Sequence, residues 1–190
     1  MKKLIIIILT IGLGLNVKAQ QQVIVYPGYT CYWNPLTKIP DSVIYVAKPH
    51  DKVAPRLPKF HATGCRLNED RDYHGSGYDQ GHLCNASDEN GNKIDEYNSF
   101  DQCNIFPQLP NLNRKTWLQL ETEIRTLATK YGAVKVKIYW HGINGLMGPD
   151  KVTIPEFCDK EIWFNSQHQS YSMPNQDSVI NHPYTYYLIK

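Results

Sequence analysis

Asp79-Gln80-Gly81-His82-Leu83, then Asn104-Ile105-Phe106-Pro107-Gln108, then Asn113-Arg114-Lys115-Thr116-Trp117-Leu118-Gln119-Leu120-Glu121-Thr122-Glu123-Ile124-Arg125 decide how this chain reads. The third stretch opens the clearest helix. Trp117, Leu120, Ile124, Leu127, Ala128 and Tyr131 recur at spacings of three and four, the stripe that packs on a core. Gly132 is placed to stop that helix with a left-handed cap. The first two stretches read as short strands, so residues 79–131 form a strand–strand–helix unit.

Working outward, Val23–Tyr26, Tyr29–Trp33 and Val43–Val46 read as strands separated by Pro27-Gly28 and Asn34-Pro35 turns. Val134, Val136, Ile138 and Trp140 alternate with Lys135, Lys137 and Tyr139, as in a strand with one buried face. Shorter strands are expected near Val152–Ile154, Ile162–Phe164 and Tyr184–Ile189. Residues 49–78, rich in Pro, Gly, Asn and Asp, read as an irregular excursion. The expected fold class is α+β, with an antiparallel sheet core and few helices.

The first nineteen residues set an expected compartment. Lys2 and Lys3 precede an apolar run from Leu4 to Leu15, and Val17-Lys18-Ala19 supplies small residues before Gln20. That is the layout of a cleaved signal peptide, and the run falls short of the roughly 18–20 apolar residues that span a bilayer. A secreted or periplasmic protein is expected, and no membrane association after cleavage. Loss of residues 1–19 removes three lysines and no acid, taking the formal charge from +2 to −1. A near-neutral chain does not coat nucleic acid by bulk charge. Of Cys31, Cys65, Cys84, Cys103 and Cys158, none forms a C-x-x-C pair, which argues against a zinc knuckle or a thioredoxin-like site. Cys84 and Cys103 flank the proposed hairpin and are a candidate disulfide, with buried thiols the alternative.

The ordered set of a histidine, two asparagines, a glutamate and an arginine suits metal-assisted phosphodiester hydrolysis. Imidazole is a base near neutrality, carboxamide oxygens are hard donors suited to Mg²⁺, and guanidinium receives phosphate. Residues 70–165 resemble the DNA/RNA non-specific endonuclease family, the endonuclease-G-like branch of the ββα-metal nucleases. The resemblance lies in Ser76 through Leu83, Asn104 through Gln108, Leu112-Asn113-Arg114, and Trp117 with Leu120-Glu121 and Arg125. Weaker echoes run from Gly148 to Pro155.

The resemblance implies a ββα-metal motif over residues 79–131 within a single endonuclease-like domain, 20–190. It implies His82 as general base, Asn113 as the side chain holding Mg²⁺ (with Mn²⁺ able to substitute), and Asn104 as a supporting, orienting asparagine. Glu121 would hydrogen-bond water in the metal's shell, and Arg125 would neutralise phosphate charge. DNA and RNA are the implied partners. Each residue has a plainer reading: Asn113 as a helix N-cap, Glu121 with Arg125 as an i,i+4 ion pair, Trp117 as core. Two departures stand out. Gln80 occupies the place where the family has a phosphate-contacting arginine, so Gln80 and Arg114 become the candidate phosphate contacts, with Lys115 or Arg71 as further support. Asn85 stands where the family often has proline. The rival reading is a nucleic-acid-binding protein on the same fold, its catalysis impaired by Gln80.

Overall fold

The structure is a computed structural model that describes residues 21–51, 54–57, 59–65, 71–89 and 91–190. Residues 1–19, expected to be a signal peptide, lie outside the described residues. Six antiparallel strands form the main sheet in the order β1-β2-β3-β6-β7-β8: β1 Gln22–Val25, β2 Tyr29–Asn34, β3 Ile39–Ala47, β6 Val134–Met147, β7 Val152–Phe164 and β8 Gln167–Pro174. The remaining two, β4 Asp79–His82 and β5 Ile105–Gln108, pair only with each other, Asp79 opposite Gln108 and His82 opposite Ile105.

Alternation along the strands gives the main sheet one apolar face. Cys31, Val43, Ile138 and Lys160 are successive cross-strand neighbours on it, all fully buried, and one of them is a lysine. The other face carries Lys135, Lys137, Tyr139 and Trp163, which remain exposed or half-buried. The helix covers the apolar face. Helical geometry begins at Pro110, runs through a π turn at Leu112–Trp117, and continues as the 14-residue α-helix Leu118–Tyr131. Trp117, Leu120 and Ile124 are fully buried against β3, β6 and β7. Each such side chain contributes about 1.5–3 kcal/mol relative to exposure. Gly132 ends the helix at φ +85°, its amide donating to the Ala128 carbonyl. Tyr131, expected on the core stripe, lies at the exposed end.

Three expectations need correction. Val152–Ile154 and Ile162–Phe164 belong to one 13-residue strand, β7. It passes through Pro155 because that residue faces the bulge between Ile143 and Leu146, where proline's missing donor interrupts nothing. Tyr184–Ile189 is not a strand. Tyr184–Tyr187 makes a 3₁₀ turn, with the Tyr187 hydroxyl donating to the Val179 carbonyl, and Leu188 to Lys190 reach the edge of β8 through a single bridge between Leu188 and Tyr171. The disulfide joins Cys65 to Cys103, while Cys31, Cys84 and Cys158 are buried thiols. Cys84 and Cys103 do not meet because the Asn104 side chain bonds both the amide and the carbonyl of Cys84, and the ladder gives way to a 3₁₀ turn at Gln102–Asn104. Two short helices, α1 Ala86–Glu89 and α2 Lys93–Ser99, carry no strong sequence signal.

Candidate active site

Strand β4 and the helix are joined by three successive polar links. At the start of β4, the Asp79 carboxylate accepts from Asn113 Nδ2 at 2.9 Å and from Arg114 Nε and NH2 at 2.8 and 2.6 Å. Beyond its end, Asn85 Nδ2 donates to Glu121 Oε2. Further on, Asp88 accepts from Arg125 NH1 at 3.2 Å. The segment 79–88 thus grips the helix at residues 113–114, 121 and 125, so Asn113, Glu121 and Arg125 are held along one seam.

The π turn sets that alignment. An unbroken α-helix would carry residue 121 about 80° past residue 113. The wider π turn, closing one residue later, takes up roughly that excess and brings Asn113 and Glu121 towards one side. Asn113 is not an N-cap: its own amide donates to the Leu109 carbonyl at 2.9 Å, inside a helix already begun. With its amide nitrogen committed to Asp79, the carboxamide oxygen is the end that can serve a cation. Nor do Glu121 and Arg125 form the i,i+4 pair, since Arg125 is turned to Asp88 and to the Thr122 hydroxyl at 3.1 Å.

His82 closes β4 almost wholly buried, between Phe60 and Phe100 with ring centroids 4.8 Å from each. Its Nε2 has no hydrogen-bond partner among the described residues. Burial, reinforced by the nearby Arg56, lowers the imidazole pKa to about 3, so the ring is neutral at ordinary pH. Phe60 comes from the irregular excursion. The next residue, His61, is anchored by its amide to the Phe100 carbonyl and by its carbonyl to the Gln102 amide. Asp101 fixes the same segment through the Gly64 amide at 2.9 Å.

Asn104 is fully buried beneath this site. Its Oδ1 accepts from the Cys84 amide, and its Nδ2 donates to the carbonyls of Cys84 and Ser99, each at 2.8 Å. It therefore holds the backbone that follows His82. Gly81 has room for no side chain, because a Cβ there would meet the Gln108 carboxamide oxygen at 2.1 Å.

Glu121 is buried, and that burial pushes its carboxyl pKa up, while Lys160, with Nζ 3.8 Å from Oε1, opposes the shift. Gln80 sits half-buried in β4 opposite Pro107. Of the cations expected to support it, Arg114 is bound to Asp79 and Arg71 to Asp150 at 2.7 Å, and Lys115 is exposed. Sequence reasoning assigned no role to Asp79, Asp88, Phe60 or Lys160 and took Asn85 only as a departure. Asp79 and Asn85 lay within the motif and were open to assignment; Lys160, inside Asp159-Lys160-Glu161, gave no signal.

A metal at this site would meet one hard oxygen donor, the Asn113 carboxamide, which fits Mg²⁺, a cation that keeps most of its waters. Among the described residues, the one close trio of acid and sulfur ligands is Cys65, Asp101 and Cys103, and its two sulfurs are bonded to each other.

A profile of the DNA/RNA non-specific endonuclease family matches residues 10–188. The chain belongs to that family. A nuclease of Nostoc sp. (strain PCC 7120 / SAG 25.82 / UTEX 2576) is 36% identical over 87 residues, 44% of this chain and 31% of the relative. Human mitochondrial endonuclease G is 38% identical over 65 residues, 34% of this chain and 22% of the relative. The matched parts thus span under a third of these curated relatives. The crystal structure of a complex between EndoG and EndoGI superposes with TM-score 0.81 at 22% identity, covering 91% of this chain and 82% of that one. That likeness establishes the ββα-metal nuclease fold.

Proposed function

We propose that the protein is an exported, Mg²⁺-dependent, sugar-non-specific endonuclease that hydrolyses phosphodiester bonds in DNA and RNA, acting as a single domain after a cleaved leader. The observation that carries the reading is the seam between β4 and the helix. In support, the segment that carries His82 also binds Asn113 through Asp79 and Glu121 through Asn85, and the imidazole Nε2 has no hydrogen-bond partner among the described residues.

His82 Nε2 takes the proton from the attacking water. It does so once the Phe60 ring moves aside, since the buried ring meets no solvent. Asn113 would hold the cation through its carboxamide oxygen, and Glu121 would accept hydrogen bonds from the cation's water shell. Bound there, Mg²⁺ would supply charge stabilisation at the scissile phosphate. Arg125 and Arg114 lie on the same helix, and contacts of this kind to phosphate rather than to bases carry no sequence preference.

The test is incubation of leaderless protein with supercoiled plasmid and with RNA, with Mg²⁺ or with excess chelator. Nicking and RNA degradation are expected with Mg²⁺, and both stop on chelation. Cleavage undiminished by chelator removes the metal from the reading. His82→Ala is expected to lose about 10²–10⁴ in rate with its fold retained. Asn113→Ala is expected to lose activity that raised Mg²⁺ partly restores. Tight nucleic-acid binding without any cleavage would transfer the assignment to the binding-only reading that Gln80 raises.

A further inference from the structure

Lys160 occupies the middle of β7, opposite Ile138 of β6 and Tyr171 of β8, on the apolar face of the sheet with none of its surface exposed. Its Nζ has no hydrogen-bond partner among the described residues. It lies 3.9 Å from the centre of the Trp117 ring and 3.8 Å from Glu121 Oε1. Burying an ammonium costs several kcal/mol, and its strand neighbours two residues away, Cys158 and Ile162, show what the position would take on packing grounds alone.

The surrounding charges explain what the lysine acts on. The helix contributes Glu121 and Arg125 and helix α1 contributes Asp88, while the Cys84 thiol, in the turn after β4, is kept protonated by its burial. Arg125 is committed to Asp88. Glu121, whose other oxygen accepts from the neutral Asn85, therefore has Lys160 as its own cation. On the nuclease reading Glu121 works as an acceptor, so the direction its carboxyl group faces decides what it serves, and Lys160 at one oxygen with Asn85 at the other sets that direction.

We propose that Lys160 is a positioning residue of the active site, its buried side chain fixing the Glu121 carboxyl group turned to Asn85 and the seam. This rests on the nuclease reading. Trp117 completes the arrangement by presenting its ring face to the ammonium, an attraction that strengthens when the cation is desolvated.

A double-mutant cycle of Lys160→Met and Glu121→Gln tests it, read by plasmid nicking, by Mn²⁺ affinity from electron paramagnetic resonance, and by denaturant unfolding. Lys160→Met alone is expected to slow nicking by about ten- to a hundredfold, to weaken Mn²⁺ binding severalfold, and to move the acid limb of the rate profile to higher pH. In the Glu121→Gln background the same change is expected to alter neither rate nor Mn²⁺ affinity, and the double variant is expected to unfold later than Lys160→Met. If Lys160→Met does not fold, the double variant, which removes the whole charge pair, is compared with Glu121→Gln alone, and equal rates and affinities support the proposal. An equal loss in both backgrounds, or a folded Lys160→Met with wild-type rate, affinity and pH profile, overturns it. Wild-type protein that binds Mn²⁺ yet cuts neither DNA nor RNA removes the proposed function, and the Mn²⁺ cycle then decides the role of Lys160. Wild-type protein that binds no Mn²⁺ overturns both.

Discussion

Histidine 82 shows how one burial sets two properties. Enclosed by two phenylalanines, it is held neutral with a pKa of about 3, against an ordinary value near 6.5. Between those values the unfolded chain binds a proton that the folded one refuses, so this residue's stability contribution is complete above pH ~6.5 and declines towards pH ~3. His82→Asn removes the titration. Between pH 7.5 and 4.5 the wild type is therefore expected to lose about 2–3 kcal/mol more unfolding free energy than the variant, as denaturant titrations would measure. Glu121, whose raised pKa acts with the opposite sign, is common to both proteins and drops out of the difference. Gln80 poses the complementary question of a missing charge. Gln80→Arg is expected to raise kcat/KM by roughly ten- to a hundredfold at low salt, the worth of a charge-assisted contact, and the gain is expected to shrink as salt rises. An unchanged rate would mean that Arg114, although bound to Asp79, already meets the phosphate.

At the scale of elements, the two-stranded ribbon depends on a contact that only glycine allows. Gly81→Ala drives a methyl group into the buried Gln108 side chain and is expected to cost about 1–3 kcal/mol, seen as a lower Tm. Gln108→Ala in the same chain is expected to recover part of that loss. The ribbon and the helix were legible in the sequence because their signals are local: a glycine–histidine step, a Pro-Gln end, a stripe at helical spacing. β7 was not, because Asp159-Lys160-Glu161 reads as a polar break. Each of the three finds a side-chain partner through the sheet or the helix: Asp159 with His141 at 2.6 Å, Lys160 with Glu121 at 3.8 Å, Glu161 with His168 at 3.3 Å. Such pairings exist only after folding, and no local pattern announces them. The candidate site divides in the same way. Its chemical groups stood in the motif with two of the partners that aim them, Asp79 and Asn85, whereas Lys160 depended on the tertiary arrangement.

Across the whole molecule, the excursion that supplies Phe60 is fastened to the ribbon by the Cys65–Cys103 disulfide, which links residues 38 apart. Closing a loop of that size is worth about 2–4 kcal/mol. Replacing both cysteines by alanine is expected to lower unfolding free energy by that amount. By loosening the segment beside His82, it is also expected to raise that residue's titration point above its present value of about 3, which histidine NMR would follow. The same fastening sets how the base is uncovered. Because His61 is bonded to Phe100 and Gln102, Phe60 stands one residue from a fixed point, and rotation about its own side-chain bonds is the smallest motion that frees the half-exposed ring. Such a swivel takes roughly nanoseconds, whereas turnover in enzymes commonly takes milliseconds or longer. The ring thus acts as a toll on population, not as a clock. A thicker solvent should leave the chemical step unhurried and unslowed, while the size of the residue at position 60 sets what fraction of molecules is ready to cut.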